Sequence, residues 1–415
     1  MNQLPENASS GIAVSPSQQS IVKVQSLEDP EILHSINLFK DILLSCYGPH
    51  GQIKIIQNNS GGQVTMTSLS STLFHCISLS SPVLSLVKAA VQNHLSRFSD
   101  GGLLTAILSM SLISKCLESK VPRLICTNVN EYILKQIEDY LQVSECECKV
   151  QIDFTSVPTM MKIIRSVIAS KPACCLLSNE TNLVSSLVLQ AYLQTLSMND
   201  VGGSTARLGR VEYVIVDGPP VSDSQLFPGV LFEAPHLPTY RTSINKSKRV
   251  EAGLEKGLIK VVLYNTSMSG DSEELMDVRY EVTQDMVASE VVLQKLMQVS
   301  EYLVHHGVGL VACQKVIHPA IKKYFKQHNV LAIDRLSLTH IGAVQTLTGA
   351  KLLGTLHSAI NAADFGYLTD VNHKVLFNKS YIHMESPSAA VVTIVICNRN
   401  EQALQELKCT KQFPD

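Results

Sequence analysis

Apolar residues Ile32, Leu33, Ile36 and Phe39 recur at helical spacing behind Asp29 and Pro30, which suit a cap and a first helical position. The spacing predicts a helix that ends near Cys46, because Gly48-Pro49-His50-Gly51 cannot continue one. β-like passages over residues 53–56 and 63–67, joined by Asn58-Asn59-Ser60-Gly61-Gly62, read as a hairpin. Helices are predicted over residues 70–79, 83–97, 103–117 and 130–141, so the first region is mostly helical.

Helical spacing continues over residues 160–170 and 182–196, and Val201-Gly202-Gly203 breaks it. Strands are then predicted over 213–216, 230–232 and 260–264, and a long helix over 284–305. Strand 309–313, helix 319–328, strand 330–333 and helix 341–348 alternate as in a parallel α/β layer. An apolar β run over 389–396 and a helix from Glu401 to Leu407 close the pattern. One domain inserted in another gives this order, and so do three domains in series.

At 415 residues, two or three domains are expected. Charged residues make up only 17% against 45% hydrophobic, which fits surface buried between subunits or an ordinary enzyme with a generous core. Net charge is −2 and no long Lys/Arg run occurs, so no nucleic-acid partner is expected. The polar first twenty or so residues lack a signal-peptide core and read as a disordered leader. The longest apolar stretches are too short for a membrane span, and a soluble chain is expected.

Most cysteines, such as Cys46, Cys76, Cys116, Cys126, Cys313 and Cys397, stand alone in apolar context, where Cys behaves as a small hydrophobe. Cys146, Cys148, Cys174 and Cys175 lack zinc-knuckle spacing, and scattered thiols fit a reducing cytosol. His305, His306 and His318 have no acid or nucleophile at a convincing spacing, and the hydrolase, phosphate-loop and zinc-protease motifs are absent.

Three segments carry more specific chemistry. Gly48-Pro49-His50-Gly51 is a helix-ending turn, and it resembles the Gly-Pro-Lys-Gly loop by which group II chaperonins bring backbone amides to phosphate. Ser99-Asp100-Gly101-Gly102-Leu103 occupies the place of their Gly-Asp-Gly-Thr-Thr signature, whose Asp holds magnesium; read locally, Asp100 caps the following helix. Gly102 and Leu103 replace both threonines. Thr67-Ser68-Leu69-Ser70-Ser71-Thr72-Leu73 aligns with the family's Thr-Asn-Asp-Gly-Ala-Thr-Ile, and Leu69 replaces the Asp that arranges the attacking water. Longer matches follow at Ser170-Lys171, at Ser222-Asp223-Ser224 through Leu231, over residues 308–350, and at Cys397-Asn398-Arg399. Strings such as Ser45-Cys46-Tyr47-Gly48-Pro49, Ser170-Lys171-Pro172-Ala173-Cys174 and Gln314-Lys315-Val316-Ile317-His318-Pro319 resemble the McKusick-Kaufman/Bardet-Biedl branch of that family.

The resemblance covers about residues 25–408 and implies an α+β multidomain, group II chaperonin-like fold. Its parts would be a disordered leader (1–24), the N-terminal half of a helical equatorial domain (25–148), a split intermediate domain (149–205 and 373–408), an inserted α/β apical domain (206–372) and a divergent tail (409–415). Relatives continue past the position of Leu407, so a C-terminally truncated form lacking half of the nucleotide pocket is expected. The implied function is a chaperonin-like assembly factor, with little or no ATPase activity, that helps assemble the Bardet-Biedl ciliary coat complex. The implied partners are chaperonin-like Bardet-Biedl proteins, the cytosolic TCP-1 ring chaperonin and coat-complex subunits, met at the apical helices over residues 320–325 and before Gly307, in cytoplasm, centrosome, ciliary base or nucleus. Gly48, Pro49, Gly51, Asp100 and Gly101 are the implied remains of a degraded ATP/Mg site, with Asp100 its metal ligand and no catalytic residue. An ATP-driven folding subunit and a poorly folded, inactive truncated form are the alternatives.

Overall fold

The computed structural model describes residue 26 and residues 29–48, 50–57, 64–98, 100–143, 146–197, 207–234, 247–251, 254–270, 288–356, 360–386 and 391–409. The expected leader, Pro49, Ser99, the turn at 58–62, the break at 201–203, the first residues of the helix expected from 284 and the tail beyond Cys409 lie outside them.

In chain order the elements are α1 (Pro30–Leu44), β1 (Lys54–Ile56), β2 (Thr65–Thr67), α2 (Ser70–Cys76), α3 (Pro82–Phe98), α4 (Gly102–Glu118) and α5 (Arg123–Gln142). There follow α6 (Val157–Ala169), α7 (Ser178–Thr195), β3 (Leu196–Ser197), β4 (Arg207–Leu208), β5 (Arg210–Asp217), β6 (Gln225–Pro228), β7 (Val230–Glu233), β8 (Ser247–Glu251) and β9 (Leu254–Tyr264). The chain continues with α8 (Ala288–His305), β10 (Val308–Cys313), α9 (Pro319–Gln327), β11 (Leu331–Ile333), α10 (Leu338–Thr348) and β12 (Leu352–Leu353). It closes with β13 (Gly366–Leu368), β14 (Asp370–Leu376), β15 (Lys379–Glu385), β16 (Val391–Asn398) and α11 (Glu401–Cys409).

Two compact units result. The first joins residues up to Gly51 with Ile77–Lys149, and the second joins Gln52–Cys76 with Val150 onward. In the helical first unit, Asp29 caps α1 by accepting the Glu31 amide at 3.0 Å. Helix α1 buries the expected Ile32, Ile36 and Phe39 together with Leu43. It packs on α4, where Ser114 Oγ donates to Asn37 Oδ1 at 2.9 Å. Helix α5 begins earlier than the expected residue 130 and buries no residue. Leu124 and Tyr132 stand 74% and 65% exposed, so packing within the described residues cannot be what sets its length.

In the second unit, β9, β10, β11 and β12 run parallel, with α8, α9 and α10 as the crossovers. This is the expected α/β layer. Strand β10 is buried at every position, as a central parallel strand should be. Antiparallel β8 and β13 extend along β9. A separate sheet pairs β16 with β5 in parallel, from Val391↔Arg210 to Asn398↔Asp217, and with β6 antiparallel. The chain therefore leaves this sheet after Pro228, at the end of β6, and returns to it at Val391. A third sheet, β14-β15-β7, is antiparallel, and its β14 and β15 are absent from the expected elements. Their turn, Phe377-Asn378, has φ +52 and +61. That is the geometry of a tight hairpin made without the glycine that usually announces it. No helix among the described residues is long and apolar enough to cross a membrane.

Candidate functional site

The turn after α1 is built by close backbone approach. The Gly51 amide donates to the Gly48 carbonyl at 3.0 Å, and a Cβ on Gly51 would lie 2.3 Å from the Cys46 carbonyl oxygen, so only glycine fits. Gly48 is exposed at the other end of the same turn, and Pro49 lies outside the described residues.

The second turn opens α4. Gly101, at φ +77, is its N-cap and carries no side-chain cap. Asp100 stands one place earlier, with Oδ1 accepting the Gly101 amide at 2.8 Å and its carbonyl oxygen 3.0 Å from His94 Nε2. The carboxylate therefore braces the turn before the helix, and the local reading of Asp100 as the N-cap itself is corrected by one residue. Gly102 is buried, and a Cβ there would meet Leu95 side-chain carbons at 2.8 Å. Helix α4 comes so close to α3 at this point that a larger, hydroxyl-bearing side chain would have to displace Leu95.

The two turns lie at the C-terminal end of α1 and the N-terminal end of α4, helices that pack together. Nothing more elaborate gathers around Asp100. Among the described residues, no group of three or more His, Cys, Asp and Glu side chains comes together. Asp100 is the carboxylate at the second turn, and Gly102 and Leu103 bring no hydroxyl beside it.

The third segment belongs to the second unit and holds a residue that the sequence did not reveal. Glu406, on α11, is buried. Its Oε2 accepts Thr67 Oγ1 at 2.8 Å, and its Oε1 accepts both the amide and the hydroxyl of Ser68 at 2.6 Å. Thr67 Oγ1 in turn accepts the Leu69 amide at 3.0 Å. This network satisfies amides that would otherwise be open at the start of α2. Leu69 is 7% exposed, so the apolar side chain is a core residue where the family pattern has an acid. Glu406 was illegible because its partners lie more than three hundred residues away in the chain.

In the helices expected to meet partner proteins, the apolar positions serve the core. In α9, Ile321 and Phe325 are fully buried, while Lys323 and Lys326 point outward. In α8, Val292, Leu296 and Leu303 are buried, with Glu301 and Tyr302 exposed.

A sequence model of the TCP-1/cpn60 chaperonin family matches residues 39–410. The chain belongs to that family. Its similarity to the molecular chaperone MKKS of Mus musculus is 34% identity over 397 residues, 95% of this chain and 67% of that protein. The Homo sapiens molecular chaperone MKKS matches at 34% identity over 394 residues, with the same shares. More distantly, thermosome subunit alpha of Sulfolobus acidocaldarius is 21% identical over 387 residues, 90% of this chain and 66% of that protein. The mixture of helices and several sheets is consistent with the group II chaperonin-like fold, as expected, and the protein is chaperonin-like.

Proposed function

We propose that this chaperonin-like protein is an assembly factor that binds partner proteins and helps build the Bardet-Biedl ciliary coat complex, with little or no ATP hydrolysis. The observation that carries the loss of hydrolysis is Leu69, a buried apolar side chain with its amide closed on Thr67, at the position of the family's water-orienting acid. An aliphatic group neither accepts a proton nor orients water. The tight seat of Gly102 against Leu95 supports the same reading. Gly48, Pro49, Gly51, Asp100 and Gly101 are proposed to retain weak ATP/Mg binding, mostly through backbone amides, with Asp100 as the metal ligand.

In this reading residues 25–148 form the equatorial half, 149–205 and 373–408 the intermediate domain, and 206–372 the apical domain. Partners meet the polar outward faces of α8 and α9, since their apolar faces serve the core. The partners are the chaperonin-like Bardet-Biedl proteins, the cytosolic TCP-1 ring chaperonin and coat-complex subunits, in the cytoplasm and at the centrosome and ciliary base. The test is affinity purification of the tagged chain from ciliated cells, with an ATPase assay of the purified chain. Stoichiometric chaperonin subunits and coat proteins, with no ATPase above background, are expected. General heat-shock chaperones alone would refute the assembly role, and turnover abolished by Asp100→Ala would establish an ATP-driven subunit instead.

A further inference from the structure

Two thiols share the crotch between α4 and α5. Cys116 lies on the last turn of α4 and Cys126 on the first turn of α5, and both are free and half-exposed. They line one open cleft of about 740 Å³ together with Lys120, Arg123 and Asn130. Each thiol is tied to the other's helix. The Asn130 side-chain amide, on α5, donates to Cys116 Sγ at 3.3 Å. Cys126 Sγ lies 3.6 Å from Ser119 Oγ, the hydroxyl that donates to the Cys116 carbonyl at 2.9 Å. Asn130 stands one helical turn beyond Cys126, so Cys116 faces the same side of α5 that carries the second thiol.

The surroundings suit oxidation. Lys120 and Arg123 also line the open cleft, so a small polar oxidant reaches both sulfurs. The hinge is short: Ser119 caps α4, Lys120 sits at φ +53, and Pro122 precedes α5. Because α5 buries none of its residues, closing the hairpin angle disturbs no core.

We propose that Cys116 and Cys126 are a peroxide-sensitive pair that closes to an intramolecular disulfide and clamps the α4–α5 hairpin. One thiolate attacks hydrogen peroxide and breaks its O–O bond. The sulfur becomes a sulfenic acid, and the departing hydroxide takes a proton to become water. The second thiolate attacks that sulfur, forming the S–S bond as the S–O bond breaks, and the departing hydroxide takes a proton from solvent to become water. The thiols supply the electrons and peroxide accepts them. A dithiol reductant reverses the change.

The test uses the reduced 415-residue chain, freed of reductant, exposed to hydrogen peroxide, alkylated and digested with trypsin without reduction. Cleavage after Lys115, Lys120, Arg123 and Lys135 places the two thiols on separate peptides, residues 116–120 and 124–135. The expected result is these peptides joined, loss of their alkylated forms, and recovery of both with dithiothreitol. Mixing light and isotope-heavy chains should give no mixed pair. Cys116→Ser and Cys126→Ser each remove the joined peptide, and the wild-type readout stands even where a variant folds badly. The exposed Cys148 reports that peroxide reached the chain. Full alkylation of both thiols while Cys148 is oxidised, or joining only between chains, overturns the proposal.

Discussion

Leu69 decides more than any other side chain in the candidate site. Its burial contributes about 1.5–3 kcal/mol of apolar transfer, and a carboxylate in its place would be desolvated. Leu69→Asp, which restores the family residue type, should therefore lower the unfolding free energy by roughly 3 kcal/mol in a urea titration. It should not raise ATP turnover, because the adjoining amides and hydroxyls are already committed to Glu406. That carboxylate is the second decisive residue. Glu406→Gln keeps the shape but replaces one acceptor oxygen with a donor facing Thr67 Oγ1 or the Ser68 amide and hydroxyl. A loss of about 1–3 kcal/mol is expected, read as a lower urea midpoint together with faster amide exchange at Ser68 and Leu69.

At the level of elements, the seam between α3 and α4 explains why the phosphate signature has decayed where it has. Gly102 lets the start of α4 rest against Leu95. Gly102→Thr, which returns the family's hydroxyl, pushes methyl and hydroxyl groups into that contact and should cost about 1–3 kcal/mol. Thermal melts followed by circular dichroism would show it, and the paired Leu95→Ala should relieve most of the loss. Elements with strong periodicity were legible. The helices α1, α3 and α4 and the β10-α9-β11-α10 succession follow from apolar spacing alone. The hairpin β14–β15 was not, because Phe377 takes a left-handed conformation that its residue type does not advertise, and Asn378 beside it lacks the glycine that usually completes the signal. The early start of α5 was also hidden, since Leu124 and Ile125 precede a polar Thr-Asn stretch that blurs the helical period.

Across the whole molecule, the buried His383 and the half-buried His340 make stability depend on pH. Burial pushes His340 and His383 below the ordinary value of 6.5, the former against the charge of Glu212 and the latter against its hydrogen bond to the Pro228 carbonyl and the charge of Glu385. His383 sits at Nε2 2.6 Å from the Pro228 carbonyl, and its Nδ1 lies 3.1 Å from Glu385 Oε1 without the alignment of a hydrogen bond. Well above pH 6.5 neither the folded nor the unfolded chain protonates these rings. Below it the unfolded chain takes protons that the folded rings resist, so stability falls as pH drops. The melting temperature should be lower at about pH 5.5 than at about pH 7.5. His383→Gln together with His340→Phe should flatten that difference; an undiminished slope would place the titration elsewhere.

The sequence by itself determined the helical first region, the parallel α/β layer and the chaperonin resemblance, because these rest on local spacing and on motifs that are contiguous in the chain. It also showed which residue types were lost from the nucleotide motifs. Tertiary structure alone decided what those losses mean. Leu69 is a core residue, Gly102 is a packing contact and Glu406 secures the Thr67–Leu69 segment, all through neighbours remote in sequence. The register of β16 beside β5, which returns the chain to the sheet it left, is likewise set by pairing across distance. Local periodicity carries no record of such partners, since burial and hydrogen bonding depend on which distant surfaces meet when the chain closes.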